Sequence, residues 1–220
     1  MFVLHGANDS ASTIVRLVLE ESGLAYSLRT IDWATEVRDT PAYRALQPLG
    51  LIPALETPDE PMFETAAILL YLGEKVPGLA PAPGAPDRAA FLTWWFFTST
   101  NLHPTLLALF YPDRMAGTEA VPHVLSAARS RMAQYLALLD GVAATQPGWL
   151  PAGGPSLLGY YLAILLRWLG SLSPDHPGHV RLADYPALHA VLEMLETRPA
   201  ARAVAEAEAL GLAPFTNPTP

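Results

Sequence analysis

The first third of the chain keeps changing its hydrophobic period, and the rest does not. Between Phe2 and Lys75, apolar runs of strand length alternate with runs spaced for a helix; after residue 87 the spacing is helical throughout. Phe2–His5 is an apolar run closed by Gly6 and reads as a buried strand. Ile14, Val15, Leu17, Val18 and Leu19 predict a buried helix over Ser12–Ser22, with Gly23 where a C-cap glycine belongs. Tyr26–Ile31 reads as a second strand and Arg38–Leu46 as a short helix, with Pro41 inside it and Pro48 just beyond. Ile52–Glu56 reads as a third strand, Pro58-Asp59-Glu60 as a turn and Pro61–Phe63 as a fourth strand. Ala66, Ala67, Leu70 and Tyr71 place a helix over Glu64–Lys75. The order is βαβ, a connection, then ββα. It implies two parallel strands joined by a right-handed crossover, then an antiparallel hairpin.

Residues 77–87 are rich in proline and glycine and mark a linker, so the expected units are 1–76, an α/β domain, and 88–220, an all-helical one. Within the second, Arg88–Tyr111 is helical with a kink expected at His103-Pro104. Thr118–Thr145 forms a second long helix. Ser156–Gly170, almost wholly apolar, is expected at the centre of the bundle, with Pro186–Thr197 and Ala200–Leu210 completing it. Thr216–Pro220 reads as a frayed tail.

Composition narrows the chemistry. Of 220 residues 51% are hydrophobic and 15% charged, which excludes a disordered chain. With no cysteine there is no disulfide, thiolate metal site or cysteine nucleophile. Thirteen basic against 21 acidic residues, a net charge of −8, argue against nucleic acid or an acidic membrane as partner. The longest apolar stretch, Leu157–Leu166, ends at Arg167, short of the roughly 20 residues a membrane span needs. The first ten residues lack the basic start and apolar segment of a signal peptide, so the expected location is cytoplasmic. No phosphate-binding glycine loop and no Gly-x-Ser-x-Gly elbow is present. His176 and His179 lie in a proline-rich loop without a third ligand of clear spacing, so no metal is expected.

Three short segments carry chemistry. In Leu51-Ile52-Pro53, a proline opening a strand is either an edge-strand residue or a cis bond that turns the backbone of Ile52 towards an extended peptide. Glu64-Thr65 opens a helix whose free N–H groups suit a carboxylate, with Glu64 able to pair with an ammonium; ordinary capping is the alternative. Asn8–Thr13 leads into the first helix. There a hydroxyl and the positive helix end could hold a thiolate, or the run could simply cap the helix.

The order and spacing of these segments resemble the cytosolic glutathione transferases, and the resemblance includes VRLVLEESGLAY, QPLGLIPALET, FETAAILLYLGEK and YPALHAVLEMLETRPA. It implies a thioredoxin-like N-terminal domain that binds glutathione as co-substrate, an all-α C-terminal domain, and a small apolar electrophile taken between them. It further implies a homodimer of the bacterial, serine- or cysteine-like type with a detoxification role. By resemblance Pro53 is the cis-proline, Ile52 pairs with the cysteinyl backbone beside Leu51, and Glu64 and Thr65 hold the γ-glutamyl end. The thiol-activating residue falls on Ser10, with Ser12 as the alternative and the N–H of Ala11 contributing, because Asp9 and Ala11 stand where the family's serine and cysteine would be. Trp95, Thr98, His103 and Tyr111 are the expected lining for the electrophile. Other departures are Gly50 and Leu51, where a basic residue often holds the glycyl carboxylate, and Ala66. Arg38, Arg44, Arg114 or a partner subunit could compensate. Asp9, Leu51 and Ala66 also leave open a non-catalytic binding module. Disulfide or peroxide reduction that uses bound glutathione is a second enzymatic reading.

Overall fold

A computed structural model describes residues 1–219; Pro220, the end of the expected frayed tail, lies outside the described residues. The chain runs β1 (Phe2–Gly6), α1 (Ala11–Ser22), β2 (Tyr26–Thr30), α2 (Pro41–Leu46), β3 (Ala54–Glu56), β4 (Met62–Phe63) and α3 (Thr65–Lys75). It continues as α4 (Arg88–Phe97), α5 (His103–Phe110), α6 (Pro112–Ala116), α7 (Val121–Ala144), α8 (Leu157–Ser171), α9 (Pro186–Glu196) and α10 (Pro199–Glu208). This is the expected architecture, a thioredoxin-like α/β domain with a mixed four-stranded sheet followed by helices. The sheet order is β2-β1-β3-β4, with β1 parallel to β2 and the other pairs antiparallel.

The chain forms two compact units: Met1–Leu79 with Thr197–Leu210, and Ala80–Glu196 with Gly211–Pro220. The segment carrying α10 therefore belongs with the first unit, although it follows the helical region in sequence. The reason is visible on α1, where Ser12–Val15 and Leu17–Leu19 are all buried. One apolar stripe would face only the sheet; α1 is enclosed because it packs on β1, α3 and α10. Leu4, Ile14, Leu17, Leu55, Ile68 and Leu69 form the centre of this core. Each such side chain contributes about 1.5–3 kcal/mol. Gly23 ends α1 in the left-handed region at φ 64°, the conformation that suits glycine.

In the second unit α8 is buried along almost its whole length. Ser156 caps it alone: its Oγ accepts the N–H of Gly159 at 3.0 Å, the half of a capping box that the sequence retains. The expected kink at His103-Pro104 is instead a π-helical turn over Thr98–Leu102, one turn earlier, which absorbs the lost proline donor. The tail is not frayed at its start. Phe215 is fully buried, and the carboxylate of Glu196 accepts both the Phe215 and Thr216 N–H groups at 2.7 Å.

Candidate functional site

Strand register brings the candidate segments to one end of the sheet. His5 pairs with Ala54, and Ala54 pairs with Phe63. The end of β1, the start of β3 and the end of β4 are thus neighbours, and residues 7–11, 51–53 and 64–65 all leave the sheet there. β2 ends beside them too, since Thr30 pairs with Gly6 and the Ile31 N–H bonds the Gly6 carbonyl at 2.7 Å.

Ser10 is the N-cap of α1. Its Oγ accepts the Ser12 N–H at 3.2 Å, and its N–H is held by Thr13 Oγ1 at 3.0 Å, a complete capping box. Its hydroxyl lies 2.6 Å from the Ala7 carbonyl and 2.7 Å from Ser12 Oγ. Ser12, 2% exposed, uses both sides of its hydroxyl on Ala7: it accepts the N–H at 3.0 Å and donates to the carbonyl at 2.9 Å. That carbonyl is therefore satisfied without Ser10, whose proton is free to turn to a ligand while Ser12 stays locked. A Cβ on Gly6 would stand 2.1 Å from Ser12 Oγ, so glycine and the buried serine require each other. With the amides of Ser10, Ser12 and Thr13 taken, Ala11 keeps the one uncommitted N–H of this first turn among the described residues.

The Ile52–Pro53 peptide is cis. Leu51 is exposed, Ile52 is half-buried and Pro53 is buried. The backbone of Ile52 has no hydrogen-bond partner among the described residues, which leaves its N–H and C=O for an extended ligand. Tyr43 fixes the segment by donating its hydroxyl to the Leu51 carbonyl at 2.7 Å, and burial holds that phenol protonated by pushing it up to about 12.

Glu64 has φ 68°, a left-handed conformation at a residue with a full side chain. Such a backbone costs of order 1–3 kcal/mol and marks functional positions. Its side chain is exposed and makes no cap bond, whereas Thr65 is buried. The first intrahelical bond of α3 runs from Ile68 N–H to the Glu64 carbonyl, so the amides of Thr65, Ala66 and Ala67 point out of the helix end.

Gly50 sits at φ 66°, and a Cβ there would meet the Arg38 carbonyl and Arg44 Cζ, each at 2.9 Å. No basic side chain fits this position. Arg38 stands beside it. Its Nη1 reaches the Gly50 carbonyl at 3.4 Å, its guanidinium lies 4.5 Å from the centre of the Trp33 ring, and its Nε is buried with no partner among the described residues. Arg44 is committed to Asp39 and to the Pro48 carbonyl, at 2.5 and 2.8 Å. Arg114 lies over the Tyr111 ring in the other unit.

The helical lining needs correction. Trp95 and Thr98 are both 0% exposed, part of a core stripe with Phe91, Leu102, Leu106 and Leu109. Trp95 is enclosed by Phe91 and Tyr161, each 5.5 Å away between ring centres. The Thr98 hydroxyl donates to the Trp94 carbonyl. Neither offers a side chain to a ligand. His103 packs against Tyr161 and Trp168, with its Nδ1 2.9 Å from the Tyr161 hydroxyl. Part of its surface remains accessible, yet the ring is dehydrated enough to lower its pKa to about 4, so it is neutral at pH 7. Tyr111 is exposed, as are Phe96 and Leu107, which the expected lining omitted.

A family model described as "Glutathione S-transferase, N-terminal domain" matches residues 4–80. "Disulfide-bond oxidoreductase YfcG" of Escherichia coli is 30% identical over 193 residues, covering 84% of this chain and 86% of that protein. The chain belongs to the glutathione S-transferase family. "Glutathione S-transferase GST-4.5" of Xanthomonas campestris is 28% identical over 210 residues, 94% of this chain and 98% of the relative. Among solved structures, a sphingomonad glutathione S-transferase in complex with glutathione is 30% identical with a TM-score of 0.76, covering 95% of this chain and all of that one. No helix among the described residues is long and apolar enough to cross a membrane, and no group of three or more potential metal-ligating side chains occurs among them.

Proposed function

We propose that this member of the family binds glutathione at that end of the sheet and activates its thiol for attack on an apolar electrophile. The observation that carries the reading is the His5–Ala54–Phe63 register, which gathers a hydroxyl, an uncommitted strand-like backbone and a free helix end on one side of one unit. The donor set fits the tripeptide. Ile52 offers one N–H and one C=O to the cysteinyl backbone. The α3 amides receive the γ-glutamyl carboxylate, and Glu64 pairs with its ammonium. The buried Nε of Arg38 and its neighbouring amino groups take the glycyl carboxylate, in place of the basic residue that Gly50 excludes. Charge-assisted bonds of this kind are each worth about 1.5–3 kcal/mol.

At the reacting end the Ser10 hydroxyl turns from the Ala7 carbonyl and donates to the sulfur, joined by the Ala11 N–H and the positive end of α1. Together these favour the thiolate over the thiol, whose free pKa is about 8.5. The sulfur lone pair then forms a bond to the electrophilic carbon, and the leaving group departs with the bonding electrons. Phe96, Leu107 and Tyr111 are exposed apolar side chains on the helical unit and support an apolar second substrate. The resemblance extends the reading to a homodimer.

Glutathione-dependent disulfide reduction is the second reading, favoured by the 30% identity to a protein named a disulfide-bond oxidoreductase. Without cysteine the chain would use only bound glutathione thiols. Parallel assays with an aryl halide and with a mixed disulfide separate the two. Conjugation that saturates with glutathione and collapses in Ser10→Ala supports the first reading. Turnover of the disulfide alone supports the second. Activity on neither, together with millimolar or absent glutathione binding, supports a binding module.

A further inference from the structure

The last helix of the first unit grips the first helix at both ends. Near the start of α10, Arg198 donates through Nη2 to Glu21 at 2.5 Å, at the far end of α1. At the other end of α10, Glu208 reaches the turn that precedes α1. Its Oε2 accepts the Asp9 N–H at 2.9 Å and the Thr13 hydroxyl at 2.7 Å. Its Oε1 meets Arg16 Nη1 at 3.2 Å. The carboxylate is 3% exposed, and a buried charge of this kind stands only where its oxygens are matched.

These contacts converge on the backbone around Ser10. Thr13 Oγ1 both donates to Glu208 and accepts the Ser10 N–H, so a continuous run of bonds links the carboxylate to the Ser10 amide. The other arm holds Asp9 at φ 48°, a left-handed conformation that asparagine and aspartate tolerate best. With Asp9 and Ser10 held on either arm, the next amide, that of Ala11, is the one left uncommitted. Arg16 matches the negative charge of Glu208, so the helix end keeps its attraction for a second anion.

We propose that Glu208 is a positioning residue for thiol activation: from the C-terminal helix it fixes the Asp9–Thr13 turn so that the Ser10 hydroxyl and the Ala11 N–H meet the sulfur together. This rests on the reading given above, in which those groups receive the thiolate. The opposite end of α10 supplies the control, since Arg198 ties the same two helices at Glu21, at the end of α1 away from the turn.

The test uses the full chain and two readouts. Amide exchange at Asp9 and Ser10 reports the anchor without any ligand, and the ultraviolet absorbance of bound glutathione against pH reports the thiolate. Glu208→Ala is expected to speed exchange at both amides about tenfold and to lower the thiolate fraction about tenfold, equivalent to a one-unit rise in thiol pKa. Glu208→Gln keeps an acceptor for Asp9 and Thr13 and restores most of both. Arg198→Ala lowers global stability and moves neither. Should Glu208→Ala not fold, Thr13→Val cuts the middle link and must release the Ser10 amide. Unchanged exchange in Glu208→Ala or Thr13→Val, or equal effects from Arg198→Ala, overturns the proposal. Faster exchange in Glu208→Ala with no thiolate even in the unmodified protein supports Glu208 as the anchor and overturns the Ser10 reading instead.

Discussion

Oε2 of Glu208 lies 2.9 Å from the amide nitrogen of Asp9, 199 residues earlier in the chain. This contact joins the end of the fold to the turn on which the proposed chemistry depends. Within that turn the hydroxyls of Ser12 and Thr13 are committed to structure, whereas the proton of Ser10 is free to turn.

Ser10 and Ser12 respond differently to alanine. Ser12→Ala removes a buried hydroxyl that satisfies both the N–H and the carbonyl of Ala7. It is expected to cost about 1–3 kcal/mol, read as a fall in the denaturation midpoint. Ser10→Ala loses its cap bond, about 1 kcal/mol, but its larger effect falls on kcat, with the Kd for glutathione little changed. Steady-state kinetics beside calorimetry distinguish the two; a larger kcat loss in Ser12→Ala would exchange their roles.

Glu64 carries the strained backbone and the proposed ammonium contact on one residue. Glu64→Gly relieves the left-handed φ and removes the carboxylate. Stability is expected to rise by about 1 kcal/mol, while glutathione affinity falls by roughly tenfold or more. Thermal unfolding and titration calorimetry on the same sample read both signs.

Arg38 is tested by changing the ligand as well as the protein. Arg38→Ala is expected to weaken glutathione binding by about tenfold and to leave binding of γ-glutamylcysteine, which lacks the glycyl carboxylate, nearly unchanged. Equal losses for both peptides would assign the arginine to the fold instead.

His103 gives a pH signature in the helical unit. Its pKa is lowered to about 4 by burial, against 6.5 in an unfolded chain. Between those values the unfolded state holds the extra proton, so stability rises with pH through the window and falls as pH drops from 6.5 towards 4. The contribution lost by pH 4 is roughly 2–3 kcal/mol. His103→Gln should flatten the dependence of unfolding free energy on pH across that window, measured by denaturant titration.

Much of this was legible in the sequence because local chemistry and tertiary packing agree in the first unit. Strand-length apolar runs became strands, Gly23 became the left-handed cap, and Ser156 capped α8 without an acid to complete the box. The helical lining was less legible for a physical reason. From Phe91 to Tyr111 apolar residues occur on every side, so the pattern gives a period without a phase. The π-helical turn over Thr98–Leu102 then inserts a shift that no straight-helix projection carries. Trp95 and Thr98 fell on the core side, and Phe96 and, beyond that turn, Leu107 on the exposed one. Glu208 was illegible for another reason: an acidic residue near the end of an alanine-rich helix looks like a solvated position, and only the fold of α10 onto α1 buries it. Glu196 hides in the same way, as the acceptor that holds Phe215 and Thr216.

The central claim is that one end of the sheet holds glutathione with its sulfur at the mouth of α1. A crystal structure of the protein grown with glutathione tests it most directly. The account predicts the sulfur within about 3.5 Å of both Ser10 Oγ and the Ala11 nitrogen, the cysteinyl backbone paired with Ile52 and the γ-glutamyl carboxylate on the Thr65 amide. A tripeptide that leaves the Ser10 hydroxyl bonded to Ala7 and places its sulfur away from α1 contradicts it.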